Sequence, residues 1–183
     1  MKTITRSNIY LPMAAMILTA ALAVPAAAQT SCKGFGPGCF KGTFQGQDAH
    51  DILLPGATTV MIHTTATGTG TLLGQFSLIR DITANLVNFS ATGSARWIAA
   101  TNRDSVVTTV VGQAELSDLP GGFLKVTEIH TITGGTGRFT GAQGSFEVEL
   151  FHKLEVSGVA GGVETHDIFG SFKGTITSPG AAH

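Results

Sequence analysis

The sequence predicts an all-β fold: a single antiparallel eight-stranded β-barrel behind a cleavable leader. Three observations carry that reading. About eight segments rich in Val, Ile, Thr and Phe follow one another at close spacing. Gly, Pro, Asn and Asp punctuate them with turn chemistry. No stretch beyond the leader carries apolar residues at i, i+3, i+4 and i+7, so no helices are present to make parallel crossovers. Strands joined without helices are antiparallel neighbours, and closing them removes the exposed edges that a Thr- and Val-rich sheet would present.

The chain has 183 residues, and its first stretch reads as a processing signal. Lys2 and Arg6, with no acid near them, precede an almost wholly apolar run from Ile9 to Val24. Pro25 breaks the run, and Ala26-Ala27-Ala28 places small residues just before Gln29. Residues 1–28 are therefore expected to be a secretory signal peptide, giving a secreted or periplasmic protein. The run falls short of the ~20 residues of a membrane span and no basic stop-transfer cluster follows it. Gln29-Thr30-Ser31 also lacks the apolar residue expected before a lipidated Cys32, so no membrane anchor is expected after cleavage.

Residues 29–40 form a short N-terminal segment. Cys32 and Cys39 bracket Lys-Gly-Phe-Gly-Pro-Gly, a C-x6-C pair. Export permits a disulfide, and Gly34, Gly36, Pro37 and Gly38 let so small a loop close. Two thiols without a nearby His or a second Cys pair make a poor zinc site, and a redox pair is more typically C-x-x-C. A structural staple is the expectation, with no metal and no cofactor.

The barrel domain is expected over residues 41–178, followed by a flexible tail at 179–183. Its strands read as Phe40 to Gln47, Thr58 to Thr65, Leu72 to Leu86, Phe89 to Thr101, Ser105 to Leu116, Phe123 to Thr133, Ser145 to Ser157 and Thr165 to Thr177. A net charge of −1 with 13% charged residues excludes a nucleic-acid binder that works by counterion release. It argues against disorder as well. The alternating Thr65, Thr67, Thr69 and Thr71 are broken by Gly68 and Gly70 and read as a strand running into a turn. No Gly-x-Ser-x-Gly elbow supports a hydrolase. Trp97 is expected to be buried rather than to serve as a carbohydrate platform.

The most specific motif is Thr133-Gly134-Gly135-Thr136-Gly137-Arg138-Phe139-Thr140-Gly141-Ala142-Gln143-Gly144. It lacks the Gly-Lys-Ser/Thr of a phosphate loop and opens no helix. Gly134, Gly135, Gly137, Gly141 and Gly144 suit a tight strand-to-strand connection, with Phe139 as the apolar plug that pins it. Followed by Ser145-Phe146-Glu147-Val148, this motif resembles the Gly-rich signature of allene oxide cyclases and dirigent proteins. It is closer still to a group of secreted bacterial proteins carrying ITGGTGRF-x-GA-x-GSF. Gly70-Thr71-Leu72-Leu73-Gly74-Gln75-Phe76 and the Asn102-Arg103-Asp104 turn are similar to patterns in that group. The resemblance covers about residues 40 to 177. It implies an eight-stranded barrel, often a homo-oligomer, with an apolar ligand cavity. The cyclases use Tyr and Cys in that cavity; here the only Tyr, Tyr10, lies in the leader and the cysteines lie outside the barrel strands. No catalytic residue carries over.

Polar residues on apolar strand faces are the remaining candidates. Side chains alternate across a strand, so Leu124, Val126, Glu128, His130 and Ile132 share one face. His152 shares a face with Phe146, Val148 and Leu150, and His166 with Ile168 and Phe172. Glu128, His130, His152 and His166 therefore fall on the expected inner wall of three consecutive strands. Three readings stand open. Each His is a satisfied core residue; or the set is the polar end of a cavity for a small apolar ligand; or Glu128 and His130 bind a metal or work as acid and base. The expected function is an exported barrel that binds a small apolar molecule or a protein partner without catalysis. An isomerase or cyclase acting in the barrel cavity is the alternative.

Overall fold

A computed structural model describes residues 38–177. The leader over 1–28, the half of the cysteine pair at Cys32 and the tail at 179–183 lie outside the described residues. Nine strands follow in chain order: β1 (Cys39–Asp51), β2 (Thr59–Gly70), β3 (Gly74–Asn85), β4 (Ser90–Ala99), β5 (Ser105–Leu116), β6 (Phe123–Gly135), β7 (Gln143–Lys153), β8 (Gly158–Ala160) and β9 (Val163–Thr177). Strands β1 to β7 each pair antiparallel with the next, β7 pairs with β9, and β9 pairs back onto β1. The result is the expected closed eight-stranded antiparallel barrel. The ninth strand, β8, was not expected; it pairs with residues 163–165 of β9 and extends the wall past the end of β7. Among the described residues the one helical element is a 3-10 turn at Gly137–Phe139.

Alternation along each strand sorts the interior into layers. One end is filled by rings: Phe40, Phe76, Trp97, Phe146 and Phe172 are buried, with neighbouring centroids 4.9 to 5.8 Å apart. Burying each such side chain stabilises the fold by roughly 1.5–3 kcal/mol. Small residues make the room. Gly42 and Gly70 face each other across β1 and β2, and a Cβ on either would sit 2.7 Å from the Phe172 ring. Large and small residues alternate so that the taper of a small barrel closes without voids.

The Gly-rich connection between β6 and β7 sits at this packed end, and Phe139 is fully buried there. Gly137 has φ +58°, and a Cβ on it would overlap the Asp104 carboxylate. That carboxylate accepts a hydrogen bond from the Arg138 backbone N–H at 3.3 Å, so the β4–β5 turn docks onto the connection. Gly134 is different: open space surrounds the position of a Cβ, and its φ is not positive. The expectation that every glycine of the motif answers a backbone requirement does not extend to it.

The other end is open. The segments joining β1 to β2, β3 to β4, β5 to β6 and β7 to β9 all emerge there, as an up-and-down topology dictates. Their exposed apolar side chains, including Leu54, Val87, Leu119 and Val159, with Leu116 at the end of β5, make an apolar rim.

Candidate functional site

Between the packed end and the open end lies a layer of buried charge. Arg80 on β3 shares its face with Leu78 and Ile82 and points into the barrel, where it is almost fully buried. Its Nη2 donates to both oxygens of Asp48 at 3.0 and 3.2 Å, and its Nε donates to the Thr64 hydroxyl at 2.9 Å. Its Nη1 donates to Glu128 Oε1, and the Thr64 hydroxyl donates to Asp48. Three strands thus supply acceptors for one guanidinium, whose fixed fork suits several of them at once.

Glu128 and His130 are both fully buried. His130 Nε2–H donates to Glu128 Oε2 at 3.0 Å, because a carboxylate only accepts. Burial pushes the His130 pKa down, against the pull of Glu128, so the ring is neutral and its Nδ1 accepts from the Thr108 hydroxyl at 3.0 Å. Burial is the largest single influence and would raise the Glu128 carboxyl, but the Arg80 guanidinium and the His130 hydrogen bond together outweigh it, and the pKa lies below the usual carboxylate value. Asp48 follows the same balance: burial raises it, Arg80 and the His152 hydrogen bond lower it, and it settles at about 2. Two carboxylates against one guanidinium leave this layer with excess negative charge.

Above the layer a cavity of about 320 Å³ opens to the rim. Val60, Ile62, Ile82, Ala91, Leu124 and Val126 form its apolar wall, and Asp48, Arg80, His152 and His166 reach it from the floor and one side. His152 Nδ1–H donates to Asp48 Oδ2 at 2.9 Å. The His166 ring lies 4.7 Å from that of His152 and donates its Nδ1–H to the Lys153 carbonyl at 3.0 Å. Burial lowers the His166 pKa, with the neighbouring His152 adding to the effect. At the mouth, one donor atom each from His50, Glu164 and His166 lies within 4.8 Å of the other two.

The four residues singled out by strand parity all point inward, but they divide into two pairs. His152 and His166 line the cavity. Glu128 and His130 stand behind Arg80 and do not line it, so their part is to fix Arg80. Sequence reasoning missed Asp48, Arg80, Thr64 and Thr108. The same parity would have found them: Asp48 shares a face with Phe40 and Phe44, and Arg80 with Phe76, Leu78 and Ile82. Cys39 is buried as the first residue of β1 and pairs with Thr175 of β9, so it lies within a barrel strand and not outside the strands as expected, while its expected partner Cys32 lies outside the described residues.

Fold and site together define a closed antiparallel β-barrel with a packed aromatic end, a charged waist and an open apolar mouth. Comparison of the chain with family models, curated proteins and solved structures gives no match.

Proposed function

We propose that this barrel binds one small, mostly apolar molecule in its open end, with a single polar group of that molecule turned toward the waist. The observation that carries the reading is the asymmetry of the cavity: mostly apolar walls and rim, with the hydrogen-bonding groups, apart from Asn85 at the end of β3, gathered at the floor and one side. Small-molecule sites share this design, and about 320 Å³ falls in their usual range of ~300–1,000 Å³. Arg80 and His152 meet a hydroxyl or carbonyl, and Glu128 and His130 hold Arg80 in place. The motif from Thr133 to Gly144 supports the same reading through its resemblance to allene oxide cyclases and dirigent proteins. Export to the periplasm or cell exterior fits a carrier or scavenger of such molecules.

A titration with the neutral fluorescent probe N-phenyl-1-naphthylamine tests this. One probe per barrel should bind with blue-shifted emission. Filling the cavity with Leu124→Trp, or with Ala84→Trp at a further lining position, should abolish that binding, whereas Val111→Ala at an exposed position should leave it unchanged. Binding that survives both fillings would reject the cavity as the site.

One observation favours a second reading, proton-transfer catalysis of an isomerisation or cyclisation. His152 is oriented by the Asp48 carboxylate at the edge of an apolar cavity, an arrangement that suits a general base. On that reading His152→Gln removes turnover of the substrate while leaving probe affinity within about twofold.

A further inference from the structure

The mouth of the barrel carries a cluster that the apolar-ligand reading does not use. β1 and β9 pair so that His50 lies opposite Glu164 and Asp48 lies opposite His166. Residues 164 and 166 are two apart on one strand, and so are 48 and 50, so all four side chains share the inner face. One donor atom from each of His50, Glu164 and His166 lies within 4.8 Å of the others.

Two further observations point to a ligand at that place. The first is an orphan. His166 is only 6% exposed, and with its Nδ1 committed to the Lys153 carbonyl its buried Nε2 has no hydrogen-bond partner. A buried polar atom without a partner costs about 1–3 kcal/mol, which a folded protein rarely leaves uncompensated. The second is the orientation of both imidazoles. His50 also hands its Nδ1–H to a backbone carbonyl, that of Asp51 at 2.8 Å, which leaves its Nε2 as the nitrogen with a lone pair. An Nδ1–H fixed by a carbonyl with Nε2 free is the state in which histidines ligate metals.

We infer that His50, Glu164 and His166 bind a divalent transition-metal ion at the barrel mouth. Two imidazoles and a carboxylate suit Zn²⁺ and its neighbours rather than Ca²⁺ or Mg²⁺, which take oxygen ligands. Bonds of about 2.0–2.1 Å around a tetrahedral ion set donors roughly 3.4 Å apart, so the donors close by little more than 1 Å. The His50 and His166 rings, stacked at 17° with centroids 5.1 Å apart, turn so that their in-plane lone pairs converge on the ion. The ion's charge offsets the excess negative charge of the waist. Three protein ligands leave one coordination position open, and all three ligands line the cavity, so that position faces its interior. A carbonyl, carboxylate or phenolate oxygen of a bound molecule can fill it. The site does not depend on an apolar guest: the metal is expected to bind in the absence of one.

Equilibrium dialysis of the untagged full-length protein against Zn²⁺, and absorption titration with Co²⁺, test the inference. We expect one ion per chain and a Co²⁺ visible spectrum of a four- or five-coordinate site. His166→Gln and Glu164→Gln should each weaken Zn²⁺ binding on the order of 100-fold, at least the loss that removing outer-shell partners causes at known sites. His63→Ala, which breaks the His63–Asp81 pair on the outer face, should change nothing. Thermal melts of the variants without metal establish that they are folded. If a variant does not fold, the Co²⁺ spectrum and stoichiometry of the unaltered protein decide. Absence of stoichiometric binding, a six-coordinate Co²⁺ spectrum typical of water ligands, or binding that persists in folded His166→Gln would overturn the inference.

Discussion

At the scale of single residues, Arg80 is the group on which the interior depends. It lies among apolar neighbours, and its guanidinium is tolerable there only because Asp48, Glu128 and Thr64 accept its protons. Arg80→Leu would leave two buried carboxylates facing each other without a cation. We expect a loss of about 3–5 kcal/mol in urea unfolding, the range found when one partner of a buried ion pair is removed. Acid should reveal the same layer. The unfolded chain protonates His130 near its ordinary 6.5, whereas the folded barrel keeps that ring neutral to lower pH. The stability His130 contributes is therefore present above about 6.5 and declines below it. Glu128 acts in the same direction over a lower window: its contribution is present above its ordinary 4.5 and is lost as pH falls through its depressed folded value. Urea midpoints should fall between about pH 7.5 and 5.5 and fall further below about 4.5. A flat or rising profile on acidification would contradict the assigned protonation states.

At the scale of elements, the β6–β7 connection shows why a Gly-rich run can be a structural device. Phe139 enters the packed end, while Gly137 gives the Asp104 carboxylate room to hold the Arg138 backbone. Phe139→Ala should cost about 3–5 kcal/mol, the usual range for emptying a buried aromatic site. Calorimetry would read it as a lower Tm with the β-sheet circular dichroism retained. A loss below 1 kcal/mol would mean that the connection is pinned by its hydrogen bonds alone. Strand content and the role of this connection were legible in the sequence because alternation and turn chemistry are local signals. The short β8 was not: Gly158 to Ala160 are all exposed, and what orders them is the β9 edge left free beyond β7. Arg80 and Asp48 escaped for a related reason. A charged residue on a strand reads as solvent-facing until its parity is checked against the apolar residues two positions away. Which buried polar groups line a cavity and which stand behind another side chain depends on barrel registration, so Glu128 and His152 look equivalent in the sequence and are not equivalent in space.

At the scale of the whole molecule, the barrel is polarised along its axis. Rings and small residues fill one end, charge occupies the waist, and apolar walls surround space at the other end. The packed end and waist supply the rigidity that lets the open end remain unfilled, since closure of the sheet ties every wall strand to two neighbours. The central claim is that the open end is a binding site, and methyl-resolved NMR tests it most directly. The protein, labelled at Ile, Leu and Val methyls, is titrated with N-phenyl-1-naphthylamine. The account predicts saturable shifts confined to cavity methyls such as Ile62, Ile82, Leu124 and Val126, with intermolecular contacts from the probe to the same groups. Shifts centred on outer-face methyls such as Ile79, Val107 and Val111, with the cavity methyls unmoved, would contradict it.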